Sequence, residues 1–152
     1  MQIKDIPAMW VLAVRRRLRI PDIAPATAEL SPLIERQIEE AGMEAAGPWL
    51  FISRGLPGDA STAFDWEICR PVVRPQDYRG AVALGRLPPV TVASREHEGA
   101  LSTLFSEGYA PLIREVEASG RALSGESREV YHAWNGPEAA TNRVEIQFCL
   151  RR

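Results

Sequence analysis

The sequence predicts an α+β fold, a tandem duplication of a strand–helix–strand–strand unit with an antiparallel sheet and two helices on one of its faces. Three observations carry that expectation. Landmarks recur in one order at a nearly constant offset of 78–81 residues. Each half holds one run of helical period and several of period two. Turn-rich stretches separate the runs. The recurring landmarks are Ile6-Pro7 with Leu87-Pro88, Ser31-Pro32-Leu33-Ile34 with Ala110-Pro111-Leu112-Ile113, Ala41-Gly42 with Ser119-Gly120, and Trp66-Glu67-Ile68 with Val144-Glu145-Ile146. They divide the chain into pseudo-repeats at about 1–75 and 86–152. A chain of 152 residues fits one domain of ordinary size, so the two repeats are expected to form one domain, 1–152.

The elements follow in order. Met9 to Arg16 reads as a first strand, because its apolar run is followed rather than preceded by charge, unlike a signal peptide. A helix spans roughly 23–41, with Leu30, Leu33, Ile34, Ile38 and Ala41 on one stripe and Gly42 as its C-terminal cap. Pro32 predicts a kink or a restart there, with Ser31 as N-cap. Strands are expected at Trp49–Arg54 and Phe64–Arg70, around the turn-rich Gly55-Leu56-Pro57-Gly58-Asp59, and Pro71 to Arg86 reads as a linker. The second half repeats the order: a strand Val90–Arg95, a helix Ala100–Ser119 with Leu101, Leu104, Phe105, Leu112 and Val116 inward, then strands Arg128–Trp134 and Arg143–Leu150.

Composition narrows the function classes. Hydrophobic residues at 45% and charged residues at 25% are ordinary for a globular chain, and a net charge of −2 argues against a nucleic-acid binder. The run Arg15-Arg16-Arg17 with Arg19 is short, lacks interleaved aromatics, and reads as a solvated strand end. Cys69 and Cys149 form no C-x-x-C pair, and His97 and His132 are too few for a zinc motif. The two cysteines read as small buried hydrophobes in a reducing, cytoplasmic compartment. No apolar run approaches the length of a membrane span. His97 is expected in solvent and His132 in a structural role.

Period two sorts the strand faces. Val144, Ile146, Phe148 and Leu150 form the face expected to meet the helices, opposite Arg143, Glu145, Gln147 and Cys149. In the preceding strand Glu129, Tyr131 and Ala133 share one face, and Val130, His132 and Trp134 the other. In the first half Leu50 and Ile52 oppose Trp49, Phe51 and Ser53. Aligning the repeats sets Trp49 against Glu129 and Phe51 against Tyr131. The face away from the helices is then expected to carry Trp49, Phe51, Glu129 and Tyr131. Aromatic walls around one carboxylate suit a ligand groove on that face. Trp66 and Trp134 are expected in the core, Glu67 and Glu145 in solvent.

The residues Gly125-Glu126-Ser127-Arg128-Glu129-Val130-Tyr131, Asn135-Gly136-Pro137-Glu138 and Arg143-Val144-Glu145-Ile146-Gln147 resemble the closing motifs of the GyrI-like (gyrase-inhibitor-like) small-molecule-binding domains, which also form the effector-binding part of multidrug-sensing transcription regulators. The resemblance covers nearly the whole chain. It implies a groove between the halves and a central carboxylate that meets cationic or aromatic ligands. Glu129 matches that carboxylate, with Tyr131 beside it and Trp49 and Phe51 as further ligand contacts. The final Phe148-Cys149-Leu150-Arg151-Arg152 departs from the family's usual proline. No helix-turn-helix precedes residue 6, so the expectation is a stand-alone sensing or sequestering module without direct nucleic-acid binding, with room for a regulatory protein partner. No nucleophile–base–orienter set is visible, so binding is expected rather than catalysis, with no catalytic residue, cofactor or metal. The alternatives are a hydrolase of strained electrophilic natural products on the same scaffold, and a gyrase-inhibitor-like protein-binding factor.

Overall fold

The computed structural model describes residues 1–74 and 77–152. Its elements are β1 (Gln2–Ile6), β2 (Met9–Leu18), a 3-10 turn (Ile20–Asp22) leading into α1 (Ile23–Glu40), β3 (Leu50–Arg54), β4 (Phe64–Val72), β5 (Ala83–Leu87), β6 (Val90–Glu98), a 3-10 turn (Leu101–Thr103), a π-helical turn (Leu104–Tyr109), α2 (Ala110–Ser119), β7 (Leu123–Ala133) and β8 (Arg143–Leu150). The α+β class and the duplicated strand–helix–strand–strand order are therefore as expected. The chain divides into two compact units, one of Ala8–Pro88 and one of Met1–Pro7 with Pro89–Arg152.

In the Ala8–Pro88 unit the strands run β3-β4-β2-β5, every pair antiparallel. In the other unit they run β1-β6-β8-β7, again antiparallel. Two of these strands are additions to the sequence reading. β5 lies inside the stretch read as a linker, and β1 precedes the first expected strand. Both are five-residue edge strands that end just before a proline, Pro7 or Pro88, which has no N–H to donate to a ladder. They are repeat equivalents, but β1 pairs with β6 and β5 with β2. Each thus completes the sheet of the half to which it does not belong in sequence.

The Ala8–Pro88 core forms where α1 lies on its sheet. Leu30 and Ile34 of α1 meet Leu12 and Leu18 of β2 and Phe64, Trp66, Ile68 and Val72 of β4, all buried. α1 runs unbroken through Pro32, so the expected restart with Ser31 as N-cap does not occur. Its apolar stripe is narrower than the period suggests, since Leu33 is exposed. Gly42 and Gly120 both take positive φ where the two helices end, a conformation that favours glycine.

The second helical segment departs from a regular α-helix. In one, Phe105, seven residues before Leu112, would share its buried stripe. The π-helical turn inserts one extra residue and rotates the positions ahead of α2 by roughly 100°. Leu101 and Phe105 are thus exposed, while Gly108 and Tyr109, four and three residues before Leu112, stay in phase with α2 and face inward. Gly108 permits the close approach: a Cβ there would stand 2.7 Å from Ile146 Cδ1.

Both faces of β8 are buried, against the expectation of one solvated face. In β8 every residue from Val144 to Leu150 is buried and only Arg143 is exposed. Glu67 and Glu145, expected in solvent, are buried at equivalent repeat positions and gripped by cations. Arg54 and Arg15 hold Glu67, while Lys4 and His132 hold Glu145 with Gln147 donating to it as well. The arginine run carries no unmatched charge: Arg15, Arg16, Arg17 and Arg19 pair with Glu67, Glu29, Asp65 and Asp22. His97 is buried, its Nε2 3.0 Å from the Thr103 hydroxyl, and the half-exposed Trp134 lies outside the core.

Both cysteine thiols are buried, and burial pushes the Cys149 thiol up to about 12. We expect a thiol reagent at pH 8 to label neither cysteine in the native protein and both after denaturation. Fast labelling of Cys149 in the native state would contradict this burial. Gly108→Ala should destabilise the fold by about 1–3 kcal/mol, measured by urea denaturation, because the new methyl must displace Ile146.

Candidate functional site

The site is built on β7. Its register sets Glu129 opposite Ile146 and Tyr131 opposite Val144. Residues directly opposite in an antiparallel pair share a face. Glu129 and Tyr131 therefore stand on the face of Val144, Ile146 and Phe148. That face looks toward the helical segment, since Tyr109 of the π-helical turn packs on Phe148 with ring centroids 5.9 Å apart. This corrects the expectation that the pair lies away from the helices. Alternation separates two faces but does not say which is inward; a register shift between Leu123 and Ser127 sets how β7 enters its ladder.

The same correction applies in the other unit. Phe51 lies opposite Ile68, and its ring meets Trp66 edge-on at 5.3 Å, so Phe51 and Trp49 pack against the core that α1 covers. Leu50 and Ile52 lie opposite Cys69 and Glu67 on the far face. The two registers also revise the repeat alignment. Phe51 opposite Ile68 corresponds to Glu129 opposite Ile146, and Ser53 opposite Trp66 to Tyr131 opposite Val144. Phe51, rather than Trp49, therefore takes the place of the carboxylate. The Arg70 guanidinium sits over the Trp49 ring, 5.1 Å from its centroid.

Of the four expected site residues, the structure thus brings Glu129 and Tyr131 together and places Trp49 and Phe51 in the other unit. It adds one that the sequence reading missed. The Tyr109 hydroxyl donates to Glu129 Oε2, while the Tyr131 hydroxyl donates to Oε1 at 2.6 Å. A regular helical period does select Tyr109, three residues before Leu112 and seven before Val116; its contact with Glu129 depends on how the helical segment packs on β7, which no local pattern announces.

The electrostatics are distinctive. Burial, reinforced by the Glu129 charge, raises both phenols well above the ordinary tyrosine range, so both stay neutral and keep donating. An ionised carboxylate only accepts, and Glu129 spends one acceptor on each phenol. Among the described residues no Lys, Arg or His forms an ion pair with this half-buried carboxylate, whereas Glu67, Glu126 and Glu145 each have one. Aromatic rings extend the site in two directions. Phe105 stacks on Tyr109 at 6.4 Å, and Trp134 meets Tyr131 edge-on at 5.7 Å.

A cavity of about 550 Å³ lies elsewhere, between the end of α1 (Gln37, Glu40, Met43) and the segment with Arg74, Tyr78 and Arg79. It holds none of the four expected residues, and its lining mixes charges of both signs. The phenol-held carboxylate is the better-defined chemical site, because its donors are fixed and its charge is unmatched. Among the described residues no three His, Cys, Asp or Glu side chains cluster to hold a metal, and no helix is long and apolar enough to cross a membrane.

Comparisons with known proteins fit this architecture. No protein-family profile matches the sequence, and no curated protein matches it. Solved structures do. The EcmrR C-terminal domain superposes with a TM-score of 0.78 at 24% identity, covering 99% of this chain and 96% of that one. In the EcmrR–DNA complex the chain spans 57% of EcmrR. SAV2435 bound to tetraphenylphosphonium gives a TM-score of 0.66 at 8% identity, over 99% of this chain and 93% of that one. A hydrolase encoded by lin2189 from Listeria innocua gives 0.61 at 14%, over 99% and 92%. At these identities the likeness is one of fold. The chain is an α+β domain with the fold of the EcmrR C-terminal domain.

The raised phenols give a pH signature. Unfolded tyrosines ionise near pH 10. Above that, the unfolded chain has lost protons that the folded chain retains, so stability falls as pH rises from about 10 toward the phenols' own higher values. Absorbance titration should show Tyr109 and Tyr131 un-ionised at pH 10.5 in the native protein, ionising only as it unfolds. In Glu129→Gln both should ionise at lower pH, because the neighbouring charge is gone; an unchanged curve would dissociate the phenols from the carboxylate.

Proposed function

We propose that this domain binds small organic cations with aromatic bodies, with Glu129 as the charge selector and Tyr131 beside it. One observation carries the reading: a half-buried carboxylate held by two neutral phenols, with no cationic partner among the described residues. A carboxylate removed from bulk water is stabilised by an opposite charge, and a bound cation supplies it. Aromatic faces nearby add cation–π attraction of about 0.5–2 kcal/mol each. An anion at the same place meets repulsion, so the site discriminates by sign.

The neighbours lend support from outside the chain. SAV2435 has the same fold and was solved with tetraphenylphosphonium, a lipophilic aromatic cation. EcmrR was solved on DNA with a domain of this fold as part of its chain. We therefore assign this domain to drug sensing or sequestration, linked to transcription regulation through a regulatory protein rather than through its own contact with DNA, in the cytoplasm. Trp49 and Phe51 are proposed as further aromatic contacts. Hydrolysis of an electrophilic ligand is the second reading, favoured by the hydrolase among the neighbours and by the phenol–carboxylate–phenol set, which could move a proton.

Titration calorimetry with tetraphenylphosphonium and its anionic counterpart tetraphenylborate tests the proposal. The cation should bind and the anion should not. Glu129→Gln should weaken cation binding by about 1–3 kcal/mol with the fold intact. Equal affinity in the variant, or equal binding of both ions, would remove Glu129 as selector. Turnover of an electrophilic substrate that vanishes in Glu129→Gln while binding persists would instead favour the enzyme.

A further inference from the structure

Two large aromatic side chains in this unit are exposed although neither stands alone. Phe105 is 67% exposed, the most of any large hydrophobic residue, and Trp134 is 47% exposed. Isolated exposed apolar residues need no explanation. These two are the ends of one connected series, Phe105–Tyr109–Glu129–Tyr131–Trp134, in which each ring contacts a phenol and each phenol donates to the same carboxylate.

Phe105 is exposed for an identifiable reason. A regular α-helix would tuck it onto the buried stripe of Leu112 and Val116, and the π-helical turn rotates it outward, while Tyr109, in phase with Leu112 and Val116, stays inward against Glu129 and Phe148. The backbone irregularity thus displays the Phe105 ring beside the phenol that anchors the carboxylate. π-helical turns are rare and concentrate at functional sites. Trp134 follows the end of β7, meets Tyr131 in a T-shaped pair and remains 47% exposed, so part of its indole is open to another partner.

We infer that Phe105 and Trp134 are specificity-determining residues for this site, the surfaces on which the aromatic body of a cation rests while its charge is met at Glu129. The inference depends on the cation-binding reading above and adds to it the two side chains by which the site prefers a cation carrying aromatic rings over a compact ammonium. Such a ligand covers apolar area on both rings and gains cation–π attraction. A small tetraalkylammonium ion reaches the carboxylate without touching them.

The test measures binding of tetraphenylphosphonium and of tetramethylammonium to the wild-type chain, Phe105→Ala, Trp134→Ala, the double variant and Glu129→Gln. Both ring residues are exposed, and unchanged thermal midpoints would show that truncation leaves the fold intact. Each single truncation should weaken tetraphenylphosphonium about fivefold or more, the double variant further, with tetramethylammonium unchanged. Glu129→Gln should weaken both ions. If Glu129→Gln weakens binding but the ring truncations do not, the assignment of Phe105 and Trp134 is overturned and the cation site stands. If the truncations weaken both ions equally, the rings act through the carboxylate's positioning and the specificity role is overturned. If the wild-type chain binds neither ion, or Glu129→Gln is without effect, the cation-binding reading fails and this inference with it.

Discussion

The hydrogen bonds from Tyr109 and Tyr131 to Glu129 tie the functional side of the molecule together. They join a strand to a helical segment through a single carboxylate. A carboxylate held partly out of water needs donors, and here the donors are neutral hydroxyls rather than cations. That choice leaves the negative charge unmatched. It also imposes conditions on the backbone. Tyr109 lies on the inward stripe of α2, three residues before Leu112, and the segment lies close to the sheet where residue 108 has no side chain. The π-helical turn ahead of α2 accounts for the exposure of Phe105.

The other buried carboxylates show the alternative. Glu67 and Glu145 occupy equivalent places in the two repeats, and both are held by basic side chains of other strands, Glu67 by Arg15 and Arg54 and Glu145 by Lys4 and His132. A buried carboxylate with paired cations knits strands to one another and is electrically spent. Glu129 is not. The corresponding place in the other repeat holds Phe51, packed against Trp66. The duplication thus kept its structural carboxylates in both copies and placed the unmatched one in a single copy. The two halves share a scaffold and differ in chemistry.

Much of this was legible in the residues themselves. The repeat, the α+β class, α1, β4 and β8 follow from landmark spacing and from runs long enough to define a period. Short edge strands escape such reading. β1 and β5 have five residues each, and their pairing partners lie in the other repeat, so no local pattern specifies them. Glu129 and Tyr131 were identified as a pair through the family resemblance, and strand alternation correctly put them on one face. Which face was misjudged, because a strand buried on both sides gives alternation without polarity. β8 shows why: from Val144 to Leu150 its polar and apolar positions are equally buried.

The sequence by itself determined the number and type of the main elements, their duplication, and the residue that carries the unmatched charge. The elements and their duplication depend on local propensity and periodicity, which each segment contains; Glu129 was identified through the family resemblance. Tertiary structure alone decided the ladder registers, the inward face of each strand, the exchange of β1 and β5, and the recruitment of Tyr109. Each of those is settled by a partner distant in sequence. A phenol twenty residues from a carboxylate becomes its donor only when a helix and a strand are packed at one particular rotation, and no run of residues encodes that rotation locally.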